Sequence, residues 1–573
     1  MTSTCAYRLL RGPGDAWARG TAVVALAVLA VLLAAGASVA QARPDLPAYR
    51  GFFPPVQTQG EVRVTLHPNP AALGRLRKLS FGAPFPPGFV SDPRKLRLLD
   101  DTGQEIALFV RVLARWPRPV PGAGSIRAAL IEFHGRLDST DPKVYRLAWG
   151  RPRTRNEPSG WPARTGWLPV SDGSYPRSKV YDPPVYVTFP PQWLGQCLLK
   201  DRILPAGKVP RFSFYDRAMM AMADTVANSF TAPVKPKQHT EYLKKYSVWL
   251  YDRPAAQFVT YLRTGKLRFL RDAHRSAQFY ADNVEPDGRF ALLPRKRRRD
   301  LKYSLLEGLA LDYWLFGDQR LLKVARRALK QINNWRYTYV PGGGHWTERH
   351  LALTILMATV GYELLGDPAL LQAAADRFAA GFALQSSPPP GAPKDGCMIH
   401  RAKQHGVWAK GWYCCPWMSA LLVDAMIRYY IMSADPRVPR SVVMLADFVA
   451  AHGTYRMRLS PKKPLEFNFP HNLVSSRYQI KSFINPWDGR EHAMDVAKVL
   501  AAGIYFNRKM GKSNPAHQKI LNELLILARW NFGTKFPRGY WRWKLPKAVV
   551  KPPRKFGWWF RTTADIDWLL SQP

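Results

Sequence analysis

The segment 342–350 combines backbone freedom with side chains that are suited to proton transfer. Three glycines lead into a group of titratable and aromatic residues: His345, Trp346, Glu348, Arg349 and His350. Glycines let the backbone approach a ligand closely. His345 and His350 are five positions apart, so they would not share one helical face as a pair of metal ligands does. The segment predicts either part of a metal-free binding site or a flexible turn before a helix.

A second segment, 400–413, mixes cations with aromatic rings. Its candidate ligand-binding residues are Arg401, His405, Trp408, Lys410, Trp412 and Tyr413. Aromatic faces can stack on flat ligand rings, and guanidinium groups bind carboxylates with two parallel hydrogen bonds. The alternative is an aromatic loop packed over the core.

Two further segments carry weaker signals. In 466–472, Asn468, His471 and Asn472 offer amides and one imidazole, although the same pattern suits an Asx and proline turn. In 295–299, five consecutive basic residues predict either an exposed patch for a polyanion or a solvated loop.

These residue types favour β-elimination from a uronate sugar. A lyase of this kind removes the proton beside a carboxylate whose charge has been neutralised by a preorganised cation. We expect Tyr413 or His345 to act as the base, Arg349 and Arg401 to neutralise the carboxylate, and His471 to assist. The residues expected to bind substrate are Trp346, Glu348, His350, His405, Trp408, Lys410, Trp412, Asn468 and Asn472. No metal or cofactor is expected.

Two other functions stay open. A glycoside hydrolase needs two carboxylates that flank the scissile bond. Glu348 and Glu466 are the only carboxylates in the segments 342–350, 400–413 and 466–472, so the hydrolase ranks second. The third possibility is a non-catalytic polyanion-binding protein of the cell envelope.

Charge and the N-terminus narrow the choice of partner. The formal net charge of the 573-residue chain is +43, which attracts nucleic acid, anionic lipid or acidic polysaccharide.

Three arginines precede an apolar run that ends in small residues, so residues 1–42 read as a signal peptide cleaved after Ala40 or Ala42. An uncleaved anchor is the alternative. We therefore expect a periplasmic or secreted protein whose partner is an acidic polysaccharide, with no nucleic acid and no stable membrane insertion after cleavage. The oligomeric state is left open.

Four cysteines remain after the signal peptide. Their spacing fits no zinc site. Either Cys397 forms a disulfide with Cys414 or Cys415, or all four are buried thiols.

The remaining pattern predicts an α+β multidomain protein. Short alternating runs with proline and glycine punctuation indicate a β-barrel or sandwich over 43–212. From 213 to 573, apolar helices end in tyrosine followed four or five residues later by a turn, as at Tyr313–Gly317 and Tyr362–Gly366. Such α-hairpins recur at loose periods and cannot bury their apolar faces alone, so we expect an α/α toroid of helical hairpins.

Four blocks in the N-terminal half carry a family resemblance: 79–90, 92–100, 110–117 and 125–133. Together they resemble the N-terminal RIFT-type β-barrel of exo-rhamnogalacturonan-lyase-like proteins. The resemblance implies a barrel followed by an α/α toroid, and a polysaccharide lyase that acts on a rhamnogalacturonan-like glycan. It assigns no catalytic residue.

Overall fold

A computed structural model describes ten stretches of the chain. They are residues 47–170, 180–225, 245–294, 300–304, 306–333, 347–405, 410–458, 466–477, 486–532 and 555–573. Residues 47–573 belong to one compact unit. The expected signal peptide at 1–42 lies outside the described residues, and the division at residue 212 stays a prediction. None of the helices in these stretches is long and apolar enough to cross a membrane.

The first half is rich in antiparallel strands. Their bounds are β1 (Gly60–Pro68), β2 (Leu76–Pro84), β3 (Arg97–Leu99), β4 (Glu105–Ile106), β5 (Phe109–Arg115), β6 (Ile126–Arg136), β7 (Lys143–Trp149), β8 (Leu168–Pro169), β9 (Tyr181–Asp182) and β10 (Val185–Thr188). One sheet has the order β10-β1-β7-β3-β4 and another the order β2-β6-β5, while β8 and β9 pair separately. The strands described here therefore form open sheets, and a closed barrel is not among them.

The burial of these strands follows from their sequence period. In β1, Val62, Val64 and Leu66 are buried, whereas the alternating positions Glu61 and Arg63 are exposed, so one face of the strand meets the core. In β6, the first eight residues are buried on both faces. This strand is the centre of the three-stranded sheet and also contacts a helix of the second half, which explains why both of its faces are buried, including the charged Arg127 and Glu132.

The second half is mainly helical, and two short helices, α1 and α2, lie in the first half. The helix bounds are α1 (Pro47–Arg50), α2 (Pro191–Gln196), α3 (Ser213–Ala223), α4 (Arg253–Thr264), α5 (Leu267–Asp282), α6 (Glu307–Phe316), α7 (Arg320–Asn333), α8 (Glu348–Leu365), α9 (Pro368–Ser386), α10 (Pro416–Ser433), α11 (Arg437–His452), α12 (Pro486–Glu491), α13 (Ala493–Lys509), α14 (Pro515–Phe532), α15 (Lys555–Thr562) and α16 (Ile566–Ser571). Two short hairpins, β11 (His400–Arg401) with β12 (Trp412–Tyr413) and β13 (Thr454–Arg458) with β14 (Glu466–Pro470), connect some of them.

The predicted hairpin turns are confirmed. Gly317 and Gly366 take left-handed φ values of 74° and 69°, and each donates its N–H to the tyrosine carbonyl four residues earlier. Ala434 does the same at φ 53° after Tyr430, although it carries a side chain. A left-handed residue at this position ends a helix and satisfies one of its last carbonyls. The following aspartate, as at Asp367, accepts a hydrogen bond from the start of the next helix.

Six of the helices form a closed ring. In ring order α4, α6, α8, α10, α13 and α15, each contacts the next, and α15 returns to α4. Helices α5, α7, α9, α11 and α14 pack outside this ring, each against an inner neighbour. Inner helices α6 and α15 are buried along their whole length. The predicted α/α toroid is therefore present in the packing of the described helices.

A buried ion network fills the ring. Lys200, which follows α2, lies 2.8 Å from Asp424 of α10 and 3.0 Å from Glu307 of α6. Arg561 of α15 lies 3.0 Å from each of the same two carboxylates. Burial alone would raise the pKa of Glu307, but the neighbouring cations Lys200 and Arg561 outweigh that effect and lower the pKa to about 2. We call this group, with the residues of the next paragraph, the ionic floor.

The floor also joins the sheets to the ring. Glu363 of α8 receives two hydrogen bonds from Arg428 of α10, at 2.5 and 2.6 Å, and an ion pair at 2.5 Å from Arg127 of β6. Arg127 lies between the rings of Trp116 and Trp314, at 4.5 and 3.9 Å from their centroids. A strand, two inner helices and two aromatic rings therefore depend on one carboxylate.

The floor predicts a large effect of one neutral substitution. Glu363→Gln removes the anion between two buried guanidinium groups, and we expect the free energy of unfolding to fall by about 3–5 kcal/mol. Chemical denaturation measures the loss. The matched control is Glu61→Gln, whose exposed ion pair with Arg146 at 3.5 Å should contribute about 1 kcal/mol or less. Equal, small losses in both variants would contradict a structural role for the floor.

Candidate functional site

Several inner helices bring their N-terminal ends to one group of side chains. Arg349 and Trp417 are the second residues of α8 and α10, His492 directly precedes α13, and Tyr251 lies two residues before α4. Trp558 of α15 completes the group, which we call the aromatic site. Helix N-termini carry a partial positive charge, so this end of the ring favours anionic ligands.

The rings of the aromatic site contact one another closely. Trp417 and His492 are stacked with centroids 4.7 Å apart, and Trp558 lies 4.5 Å from the first and 4.6 Å from the second. Tyr251 reaches Trp558 at 6.1 Å. All four rings are largely buried, whereas Arg349 is partly exposed.

Arg349 is the cation of this site. Its Nη1 donates to the Tyr251 hydroxyl at 3.0 Å, and its guanidinium carbon lies 5.8 Å from the Trp417 ring centroid. Its Nε is buried and has no hydrogen-bond partner among the described residues. Burial alone would lower the pKa of Arg349, but Tyr251 raises it above the ordinary value, so the group stays charged. A buried, unsatisfied donor on a charged fork is a ready position for an anionic ligand.

His492 is held by a carboxylate. Its Nδ1 lies 2.9 Å from Asp495 Oδ2, three residues later in α13. Asp495 is fully buried, and burial raises its pKa well above the ordinary range despite the opposing effects of Trp558 and Lys555. The contact fixes the orientation of the imidazole ring, as required of a histidine that transfers a proton.

The wall beside the rings is built from the predicted segments. Asn472 Oδ1 accepts a hydrogen bond from Trp417 Nε1 at 2.8 Å. Glu348 is fully buried and accepts the Cys415 N–H at 2.7 Å, while its other oxygen lies 3.2 Å from His400 Nδ1. These contacts fasten the start of α8 to the start of α10.

Below the aromatic site lies a small cavity. It measures about 20 Å³, enough for one water, and its lining includes Tyr251, Asp252, Glu307 and Arg561. Asp252 accepts the N–H groups of Ala255 and Gly308 at 2.9 and 3.1 Å. Burial and then Glu307 raise the pKa of Asp252 to about 6.

Backbone strain is concentrated at the same place. Tyr251 and Asp252 are consecutive residues with φ values of 58° and 63°. A non-glycine residue in this left-handed region costs on the order of 1–2 kcal/mol. Within this strained pair, the Tyr251 side chain contacts Arg349, and the Asp252 side chain contacts the start of α6. Such strain is retained where the position of a side chain matters for function.

The predicted site residues fall into three groups. Arg349 is part of the aromatic site, and Glu348 and Asn472 form its wall. Lys410, Trp412, Tyr413, His350, Arg401, Asn468 and His471 lie in described segments but in other contacts. His345, Trp346 and Trp408, the side chain of His405, and the basic run 295–299 lie outside the described residues.

The contacts of the second group are structural. The Tyr413 hydroxyl donates to the Lys410 carbonyl at 2.9 Å, and the exposed Arg401 stacks 3.6 Å from the Trp412 ring centroid. His350 is buried, with Nδ1 2.5 Å from Thr347 Oγ1.

The other two residues of the group lie at the end of β14. Asn468 donates to Glu523 through its backbone and side chain at 2.9 and 2.8 Å. The His471 ring lies 4.7 Å from that of Tyr455, and burial lowers the pKa of His471 to about 4. The catalytic and binding roles of all these residues stay predictions.

The cysteines behave as one of the two expected alternatives. Cys397 and Cys414 form a disulfide with a Cα–Cα distance of 5.9 Å, while Cys197 and Cys415 are buried thiols. Cys397 precedes β11 and Cys414 directly follows β12, so the bond joins the two ends of this hairpin. Within the described stretches, no group of three or more His, Cys, Asp or Glu side chains is placed to hold a metal ion.

Sequence reasoning missed Tyr251, Trp417, His492 and Trp558. Each is an aromatic residue at or near the start of an inner helix. Trp417 stood four residues beyond the end of the second predicted segment, so extending each segment into the first turn of the next helix would have found it. Tyr251 and Trp558 come from opposite ends of the helical half, and only closure of the ring places them together.

Comparisons with known proteins give slight likenesses only. No protein-family model and no curated protein matches the chain. Among solved structures, an unsaturated glucuronyl hydrolase specific for heparin is 11% identical, with a TM-score of 0.38 over 62% of this chain and 97% of that chain. An unsaturated glucuronyl hydrolase from Streptococcus agalactiae is 10% identical, with a TM-score of 0.36 over 65% and 99%. A Listeria innocua protein is 12% identical, with a TM-score of 0.37 over 62% and 98%. At these values the likeness carries no argument about fold or activity.

Proposed function

We propose that the protein is an exported polysaccharide lyase that cleaves an acidic, uronate-containing glycan by β-elimination. The observation that carries the proposal is Arg349, a charged guanidinium that contacts a tyrosine hydroxyl and whose buried Nε has no hydrogen-bond partner among the described residues. A rhamnogalacturonan-like polymer is the first substrate to test, because the N-terminal blocks resemble that family.

The chemistry assigns one role to each side chain of the site. Arg349 binds the uronate carboxylate and stabilises the negative charge that develops as the neighbouring C5–H bond breaks. Tyr251, whose phenolate form is stabilised by the adjacent guanidinium, takes the C5 proton. The electron pair forms the C4–C5 double bond, and the C4–O bond breaks. His492, oriented by Asp495, then supplies a proton to the leaving oxygen.

The nearby carboxylates are already engaged, which ranks a hydrolase second. Asp252 accepts two backbone N–H groups, Glu307 is paired with Lys200 and Arg561, and Asp495 contacts His492. One observation does favour hydrolysis. The environments of Asp252 and Glu307 drive their pKa values apart, to about 6 and about 2, and such a pair suits a general acid and an ionised partner.

The first prediction concerns product chemistry. We expect the protein to release unsaturated uronate products from at least one of rhamnogalacturonan, polygalacturonate, alginate, hyaluronan and heparin. Absorbance of the unsaturated product and reducing ends are recorded together, and both should rise. Reducing ends without the absorbance would establish hydrolysis. Salt-sensitive binding to several of these polymers with neither signal would favour a non-catalytic polyanion-binding protein.

The second prediction locates the chemistry. Arg349→Ala and Tyr251→Phe should each lower kcat by about 10²–10³-fold, because each removes a group that acts in the transition state. Tyr362→Phe, at the other end of the same helix, and Arg440→Ala on the exposed face of α11 are the matched controls. If Tyr413→Phe lowered kcat and Tyr251→Phe did not, the catalytic base would be Tyr413, the residue that the sequence favoured.

The third prediction uses pH to separate the two mechanisms. If Asp252 is a general acid, turnover requires its protonated form and should fall as pH rises through about 6. Asp252→Asn would then abolish turnover. A lyase that uses His492 as its acid also loses turnover as the imidazolium deprotonates, but it keeps both its turnover and that pH dependence in Asp252→Asn. The pH–rate profiles of kcat for the parent protein and for Asp252→Asn therefore distinguish the two mechanisms.

The fourth prediction concerns export, which we propose from residues 1–42. N-terminal sequencing of the protein recovered outside the cytoplasm should begin at Gln41 or Arg43. Recovery in the membrane fraction with residue 1 still present would indicate the uncleaved anchor instead.

A further inference from the structure

The outer helix α7 presents a row of cations to solvent. Lys323, Arg326, Arg327 and Lys330 are exposed and lie at spacings of three and four residues, so they form one stripe along the helix. The helix contains no Asp or Glu. Its apolar residues Leu321, Val324, Ala325, Ala328 and Leu329 are buried against the ring.

The described residues offer these cations no acidic partner. Within the described stretches, none of the four has a carboxylate at ion-pair distance, although Lys330 Nζ donates to the Pro286 carbonyl at 3.1 Å. Some cations on other outer helices are paired, such as Arg268 of α5 with Asp224 at 3.0 Å and Arg437 of α11 with Asp435 at 2.6 Å.

The stripe carries a cost that packing does not explain. Like charges three and four residues apart on a helix destabilise it by repulsion. The side chains point away from the ring, so the fold does not require them to be basic. A linear polyanion laid along the stripe would remove the repulsion and release counterions.

We propose that the solvent face of α7 is a second binding surface for an acidic polysaccharide, separate from the aromatic site. A membrane fits less well because most apolar residues of α7 are buried and only Leu322 among them is partly exposed, too little apolar surface to enter a bilayer. Single-stranded nucleic acid fits less well because the stripe has no aromatic ring on which bases could stack. The choice of a glycan rests on the proposed function, whereas the existence of a polyanion surface does not.

The test neutralises the stripe in the full chain with Lys323→Gln, Arg326→Gln, Arg327→Gln and Lys330→Gln combined. The matched control replaces two arginines and two lysines on other exposed surfaces, at Arg63, Arg151, Lys95 and Lys519. Binding to polygalacturonate and heparin is measured by titration calorimetry at several salt concentrations. Both variants are also made in the Arg349→Ala background, which removes the central cation of the aromatic site.

We expect the stripe variant to bind polygalacturonate or heparin about tenfold or more weakly at low salt, with a shallower salt dependence. The control variant should lose about threefold or less. The loss should be the same in both backgrounds. The midpoint of thermal unfolding should be unchanged or slightly higher, since repulsion is relieved.

Three outcomes would overturn the proposal. Equal losses in the stripe and control variants would show that only net charge matters. A stripe-dependent loss that disappears in Arg349→Ala would place the binding in the aromatic site. Binding of the stripe to anionic lipid vesicles but to neither polysaccharide would make the partner a membrane. Stripe-dependent glycan binding without turnover of any polymer would support the surface and refute the lyase.

Discussion

Glu363 holds two arginines that the chain brings from distant regions, Arg127 in the central strand β6 of the three-stranded sheet and Arg428 in the inner helix α10. A buried carboxylate between two guanidinium groups is stable only while all three are present, because each charge offsets the desolvation of the others. This requirement joins the sheets to the ring. The ion pairs of Lys200 and Arg561 with Glu307 and Asp424 likewise join inner helices to one another across the closed ring.

The position of the aromatic site follows from that closure. Inner helices α4, α8, α10 and α13 begin beside Tyr251, Arg349, Trp417 and His492, and their dipoles add to the charge of the one guanidinium. A basic protein that meets a polyanion therefore has a graded field. On the proposed function, the net charge of +43 would attract the polymer and the helix ends would favour its carboxylates. Arg349 Nε, which has no hydrogen-bond partner among the described residues, would donate a specific hydrogen bond.

Local patterns predicted the hairpins well and the site only in part. The turn at Gly317 or Gly366 depends on a left-handed residue after a tyrosine, and that signal lies within a few neighbouring positions. Arg349 was found because it stands in a segment unusual in itself. Tyr251 and Trp558 had no such signal, since their contact depends on the closure of six helices. In the first half the alternation in β1 predicted a half-buried strand, but alternation does not specify whether sheets close, and the described strands remain open.

The charge balance of the floor explains why an anion would stay at Arg349. Four further buried groups adjoin the floor: Asp201 beside Lys200, the ion pair of Lys498 with Asp565, and Asp252 beside Glu307. With them, the floor contains five buried cations and six buried carboxylates: Lys200, Arg127, Arg428, Lys498 and Arg561 with Asp201, Asp252, Glu307, Glu363, Asp424 and Asp565. Burial raises the pKa of Asp201 and Asp252, so uptake of a single proton makes the group neutral. A neutral or slightly negative floor offers a second carboxylate no attraction. On the proposed function, the uronate would therefore bind at the basic end of the ring, beside Arg349, and not at the floor.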